Sequence, residues 1–308
     1  MISNDNPDEF AAKLLGLHPD WWQTAATTSV LIKAFKKHII PLLVAGTVGH
    51  ESQYNIYTGI ILKYSGPILW LTAGHVVDEL SKILSSSQFK LTEMAWLDGY
   101  EVTKAEAVLV HRTDIPMKSW SEIGLDVGII LPSILDVGNI LRNDNVIPID
   151  ARIWKNLNQA SPEGYYAIGF PRPWSHLSQT PLSNNKVLKT VDANIACLPL
   201  KEIPPPPEFR DDPVWSNPEA FYGQILPYPD YPDFNFEDAK GMSGGPILSV
   251  ERDPGGTIRY RLEGIIQSFA PSQFIFRAEP IQRIAEVLDL WLEEKNHTTK
   301  NSNHSIPT

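Results

Sequence analysis

One cysteine, Cys197, occurs in 308 residues. A disulfide framework within the chain is therefore excluded, and no cysteine partner exists for redox chemistry or a zinc cluster. Its apolar neighbours read as a packed strand. None of the eight histidines has the His-x-x-x-His or paired Cys/His spacing of a zinc site, so no metal and no cofactor is expected. No apolar run reaches the roughly 18 residues of a membrane span, so no membrane insertion is expected. Met1 to Phe10 is polar and acidic, without the basic-then-apolar order of a secretory leader. Together with the thiol scarcity this predicts a reducing, cytoplasmic location. Lys and Arg number 26 against 36 Asp and Glu, a net charge of −10. That balance argues against a broad nucleic-acid surface.

The chain does contain three short segments that suit acyl-transfer chemistry. Gly241-Met242-Ser243-Gly244-Gly245-Pro246 is a turn sequence that presents one hydroxyl, because glycine permits positive φ and close backbone approach. In such a turn the amides of Gly241 and Ser243 can point into one cavity and stabilise an oxyanion. The alternative is a glycine-rich turn in which Ser243 serves only turn geometry. Ile68 to Val77 is an apolar strand that ends in Thr72-Ala73-Gly74-His75 and runs into a short helix. His75 then sits at a strand mouth, and histidine is the side chain best placed to exchange protons near neutral pH. Asp126 opens the apolar run Val127 to Leu131, where a carboxylate needs a dedicated hydrogen-bond partner. An imidazole N–H is one candidate and a backbone amide is the other.

These three blocks, in the order His, Asp, Ser, resemble the signature blocks of the chymotrypsin/trypsin-like serine peptidases, an order unlike that of α/β-hydrolases. Tyr166 to Pro171 and Glu263 to Ser268 are weaker echoes of the same family, and the resemblance spans roughly residues 40 to 280. It implies an all-β fold of two six-stranded antiparallel β-barrels. It also implies a serine endopeptidase with polypeptide substrates, in which Ser243 attacks, His75 moves the proton and Asp126 orients His75. Gly241 and Ser243 would supply the oxyanion hole. Met242 stands where zymogens of the family carry an acid, so the resemblance is to bacterial-type, non-zymogen members. Substrate contacts would come from Glu237, Asp238, Gln267, Ser268 and Phe269. Glu237 occupies the place of a pocket-base residue that would favour Lys or Arg, and a solvated acidic loop is the other reading. Phe269 would narrow the pocket entrance. Two further functions share this frame: an inactive or partner-gated binding module, and an esterase on the same triad.

The remaining pattern organises around those barrels. Residues 1–38 carry helical apolar spacing and read as an N-terminal arm. Six strands fall within 39–131, among them Glu101–His111, followed by a linker at 132–150 and a second barrel at 151–279 with strands expected at Ala151–Trp154, Tyr165–Phe170, Lys186–Leu198, Pro246–Val250, Ile258–Ser268 and Phe274–Arg277. Proline stiffens residues 199–232, which include Pro204 to Pro207 and read as an extended inserted loop. The arm and this insertion are the two places that suit a protein partner. Ile281, Ile284, Val287, Leu288 and Trp291 share one face of a C-terminal helix at 280–295, and the polar tail 296–308 is expected to be disordered.

Overall fold

A computed structural model describes residues 23, 25–97, 108–109, 115–142, 146–150, 162–181, 187–212, 215–227, 239–252 and 258–302. The first described helix, α1 (Ala25–Phe35), lies in the expected arm. It buries Leu31 and Phe35, and the Phe35 ring meets Tyr260 edge-on with centroids 4.9 Å apart. His38 just beyond it is clamped from both ring nitrogens, 2.6 Å from the Ile147 carbonyl and 2.7 Å from the Tyr260 hydroxyl. Burial lowers its pKa below the ordinary histidine value. The arm is thus tied to distant parts of the chain.

The N-terminal half comprises β1 (Leu42–Val48), β2 (Glu51–Tyr57), β3 (Ile60–Lys63), β4 (Ile68–Thr72), α2 (Gly74–Ser85), β5 (Phe89–Trp96), β6 (Val108–Leu109), β7 (Met117–Ser119), β8 (Gly128–Ile130), α3 (Ile134–Arg142) and β9 (Ile149–Asp150). Its strands form two open sheets, ordered β2-β1-β5-β6 and β7-β8-β4-β3-β9. One of the two expected barrels is thus not seen closed among the described residues. Most of the expected strand Glu101–His111 lies outside the described residues. Within the segment read as linker, α3 starts on a reciprocal cap: the Ser133 hydroxyl accepts from the Asp136 amide, and the Asp136 carboxylate accepts from the Ser133 amide.

The C-terminal half comprises β10 (Gly164–Gly169), β11 (Ser175–Pro181), β12 (Val187–Ala193), β13 (Ala196–Glu202), β14 (Phe221–Ile225), β15 (Pro246–Arg252), β16 (Ile258–Ala270), β17 (Ile275–Pro280) and α4 (Ile281–Ser302). Six of these strands close a barrel in the order β10-β13-β14-β17-β16-β15. One stave differs from expectation. The predicted strand at 151–154 lies outside the described residues, and β14 completes the barrel from inside the proline-rich segment. Prolines flank β14 rather than occupy it, so its backbone donors remain available to β13 and β17. The predicted strand 186–198 is split, and β12 pairs with β11 in a separate hairpin.

One apolar core runs through both halves. It joins Leu43, Ile60 and Val127 to Tyr166, Leu248 and Ile265, and continues into Ile284, Leu288 and Trp291 of α4. The helical face read from the sequence is the buried one, although α4 continues to Ser302, through the start of the tail expected to be disordered. Cys197 is fully buried in this core.

Candidate active site

Asp126 precedes β8, while His75 lies in the first turn of α2. The two meet through two contacts. Asp126 Oδ2 is 2.8 Å from His75 Nδ1, and Asp126 Oδ1 accepts the His75 backbone N–H at 2.7 Å. Both partners foreseen for this aspartate, an imidazole and a backbone amide, are therefore satisfied by one carboxylate. The second contact also caps the unsatisfied amides at a helix start. Gly74 makes the approach feasible, because a Cβ there would fall 2.5 Å from Ser121 Oγ and 3.0 Å from Asp126 Oδ1.

The His75 side chain is 47% exposed and that of Asp126 28%. Burial works against the imidazolium. The Asp126 hydrogen bond and charge, helped by Glu79 and Asp78, outweigh it and hold the His75 pKa above its ordinary 6.5. The sign follows directly. A raised folded pKa stabilises the fold at low pH, fully below about 6.5, and the contribution is lost as pH rises through the folded value. Any activity that needs neutral His75 should accordingly show its acidic limb above pH 6.5, and Asp126→Ala should move that limb down. A pH profile of Ser243 modification measures both.

Ser243 sits in the turn between β14 and β15. The flanking Gly241 and Gly244 have φ of +94° and +87°, a region that strongly favours glycine. The Gly244 amide donates to the Ile266 carbonyl at 2.8 Å and the Gly245 amide to the Met242 carbonyl at 2.9 Å. Among the described residues the amides of Gly241 and Ser243 donate to no protein acceptor. Met242 is fully buried among Ala167, Ile247 and Phe276, so the turn is anchored by apolar packing. The turn also touches the N-terminal half. The Thr58 hydroxyl donates to the Gly241 carbonyl at 2.7 Å and accepts from the Phe170 amide at 3.0 Å.

Gln267 connects the acid to the serine turn. Strand β16 bulges between Ile266 and Ser268, a device that re-aims side chains beside functional sites. The bulged Gln267 is 3% exposed, and its carbonyl accepts the Ser243 hydroxyl at a long 3.4 Å. Its side-chain amide donates to the Asp126 carbonyl at 2.9 Å and to Glu279 Oε2 at 3.2 Å. Arg277 donates to the Gln267 side-chain oxygen and lies 3.7 Å from Glu279, whose other oxygen is 2.7 Å from Arg283. Burial pushes the Glu279 carboxyl above its ordinary value, against the pull of Arg283 and Arg277. Gln267, expected in the substrate cleft, instead joins a buried polar cluster behind Asp126.

The other specificity residues divide. Glu237 and Asp238 lie outside the described residues. Ser268 pairs with Arg277 across β16 and β17. The Phe269 ring packs on Phe276 at 4.8 Å between centroids. Sequence reasoning missed Arg277 and Glu279. The only available signal was two charges at alternate positions in a strand that is otherwise apolar. Among the described residues no group of three His, Cys, Asp or Glu could hold a metal ion, and no helix is long and apolar enough to cross a membrane.

No protein-family model and no curated protein matches the sequence. Solved structures similar to it include the protease Anisep from Arthrobacter nicotinovorans, 13% identical over 79% of this chain and 90% of that one, with a TM-score of 0.39. A thermostable serine protease, AL20, from an extremophilic microorganism is 14% identical over 80% and 92%, with a TM-score of 0.40. Kallikrein-related peptidase 10 in complex with zinc is 12% identical over 85% and 98%, with a TM-score of 0.42. These similar structures are proteases or peptidases, and the chemistry assigned to this chain rests on its own geometry.

Proposed function

We propose that this chain is a serine endopeptidase. The observation that carries the reading is the two-point contact of Asp126 on His75, which fixes both the position and the tautomer of the imidazole. With the proton held on Nδ1 facing Asp126, Nε2 is left as the base. Ser243 Oγ forms a bond to the carbonyl carbon of the scissile peptide as its proton passes to His75. The oxyanion is received by the amides of Gly241 and Ser243, a role supported by their lack of any protein acceptor among the described residues. Loss of one such donor typically costs about 10²–10³ in turnover. The tetrahedral species then collapses, the C–N bond breaks, and the leaving amine takes the proton from His75. Water repeats the sequence on the acyl-enzyme and restores Ser243. The long contact from Ser243 to the Gln267 carbonyl holds the hydroxyl weakly and is readily exchanged.

The same reading assigns polypeptide substrates, no metal or cofactor, a site formed without N-terminal cleavage, and a reducing cytoplasmic setting. The test is exposure of the whole protein to a fluorophosphonate, followed by intact mass and peptide mapping. One adduct on Ser243, absent from Ser243→Ala, is expected. An unmodified Ser243 in well-folded protein would reject the peptidase and leave the binding-module alternative.

A further inference from the structure

Three successive carbonyls in the turn around Ser243 are each held by a donor. The Arg172 amide donates to the Lys240 carbonyl at 2.6 Å, and the Gly245 amide donates to the Met242 carbonyl at 2.9 Å. Between them, the Thr58 hydroxyl donates to the Gly241 carbonyl at 2.7 Å. A trans peptide is planar and carries its C=O and N–H on opposite sides. Holding the Lys240 and Met242 carbonyls therefore turns the Gly241 and Ser243 amides away from those donors. These are the two amides that have no protein acceptor among the described residues.

The middle peptide differs from its neighbours. Both of its ends are engaged, since the Met242 amide donates to the Ala239 carbonyl at 3.2 Å. It lies between the two outward amides, so the angle between them depends on how it is held. Gly241, at φ +94°, offers little resistance of its own, because glycine moves through φ/ψ space at low cost. Of the three carbonyl contacts, only that of Thr58 comes from a side chain. It is also the only one made by the half of the chain that carries His75 and Asp126.

Thr58 is held in one orientation. It is fully buried between β2 and β3. Its hydroxyl accepts the Phe170 amide at 3.0 Å, and its single proton goes to the Gly241 carbonyl. Its own carbonyl accepts the Thr72 hydroxyl at 2.8 Å. Thr72 is the last residue of β4, three before His75. One residue thus ties the strand that presents the base to the turn that presents the nucleophile.

We propose that Thr58 is a positioning residue for the oxyanion hole: its hydroxyl fixes the Gly241–Met242 peptide and, through it, the aim of the Gly241 and Ser243 amides. The role rests on the peptidase reading. On this account the contact between the two halves completes the hole.

The test measures rates of fluorophosphonate inactivation of the whole protein across pH, since the phosphoryl oxygen of the adduct takes the place of the oxyanion. Thr58→Val keeps the shape and removes the hydroxyl. It should lower the plateau rate at least about tenfold, toward the loss typical of a missing donor. The acidic limb should stay in place, because the Asp126–His75 contacts are untouched, and Thr58→Ser should recover most of the rate. Thr58→Ala, which leaves room where valine sets a methyl against the Gly241 carbonyl, should act in the same direction and decides the matter where Thr58→Val does not fold. Tyr64→Phe removes another buried hydroxyl that joins distant segments and should keep the wild-type rate, whatever it does to the melting temperature. A wild-type rate without the hydroxyl, a shifted limb, no recovery with serine, or an equal loss in Tyr64→Phe would overturn the role. The two readings fail separately. Wild-type protein that takes no label rejects the peptidase and this role with it, whereas labelling of wild type and Thr58→Val at one rate rejects the role alone.

Discussion

Asp126→Asn is expected to slow modification and turnover at Ser243 about 10⁴-fold, the usual size of this effect when the tautomer is lost, with little loss of stability. The two contacts of the carboxylate explain the separation. An asparagine oxygen can still accept the His75 amide, now made at 2.7 Å by Oδ1, so the cap of α2 survives. The other terminal atom becomes an NH₂ group. Facing Nδ1, it donates where the carboxylate accepted, and it forces the imidazole proton onto Nε2, where no proton can then be taken from Ser243. The negative charge beside His75 disappears as well, so any residual activity should titrate at lower pH than in the wild type. Inactivation rates with a fluorophosphonate, read across pH beside thermal melts, check all three statements. A loss below tenfold would mean that His75 and Asp126 are a structural cap and not a catalytic pair.

Gly244→Ala is expected to have the largest effect on folding of any single methyl added in the site. At φ +87° a non-glycine residue costs roughly 1–3 kcal/mol before it touches anything. Its Cβ would then fall 1.9 Å from Thr72 Oγ1 and 2.3 Å from the Thr58 carbonyl. Thr58 and Thr72 are fully buried and bonded to one another, so neither can swing aside. Overpacking typically adds about 1–3 kcal/mol more. At about 2–4 °C per kcal/mol for a large domain, the melting temperature should fall by roughly 5–20 °C. Gly49→Ala is the control, because it shares a positive φ of +62° but meets nothing within 4 Å. Calorimetry of the two variants should show a several-fold larger loss at Gly244. Similar losses at both would show that strain alone, and not the Thr58–Thr72 contact, sets the requirement for glycine.

The sequence disclosed this site unevenly, and the reasons are physical. His75, Asp126 and Ser243 were legible because each breaks a local pattern: a histidine at a strand mouth, an acid against an apolar run, a hydroxyl among glycines. Arg277 and Glu279 break none, since alternate charges in a strand read as a solvated face. Only the fold, which packs that face against Gln267, beside the Asp126 backbone, and against Arg283 of α4, shows it to be buried. Helix α3 did leave a signal in Ser133-Ile134-Leu135-Asp136, the spacing of a reciprocal cap, but Pro132 and Gly138 nearby read more strongly as linker. β14 was hidden by composition, because prolines before and after it masked a five-residue strand. The closed first barrel was expected from the family resemblance, and most of the residues between β5 and β7 that bear on its closure lie outside the described ones.

The bonds that cross between the halves set an order in time as well as in space. His75 and Asp126 emerge early in synthesis and can fold against each other within the N-terminal sheets. The turn with Ser243 follows more than a hundred residues later, and the strand that carries Gln267 later still. Last comes α4, whose Asp289 and Ala285 receive the Tyr64 hydroxyl at 2.5 and 3.0 Å and so bind the final helix to one of the first strands. A nascent chain on the ribosome thus holds a base without a nucleophile until the residues around Ser243 have been made. For a protein proposed to cut polypeptides, that arrangement keeps every such incomplete copy inert beside the newly made chains around it.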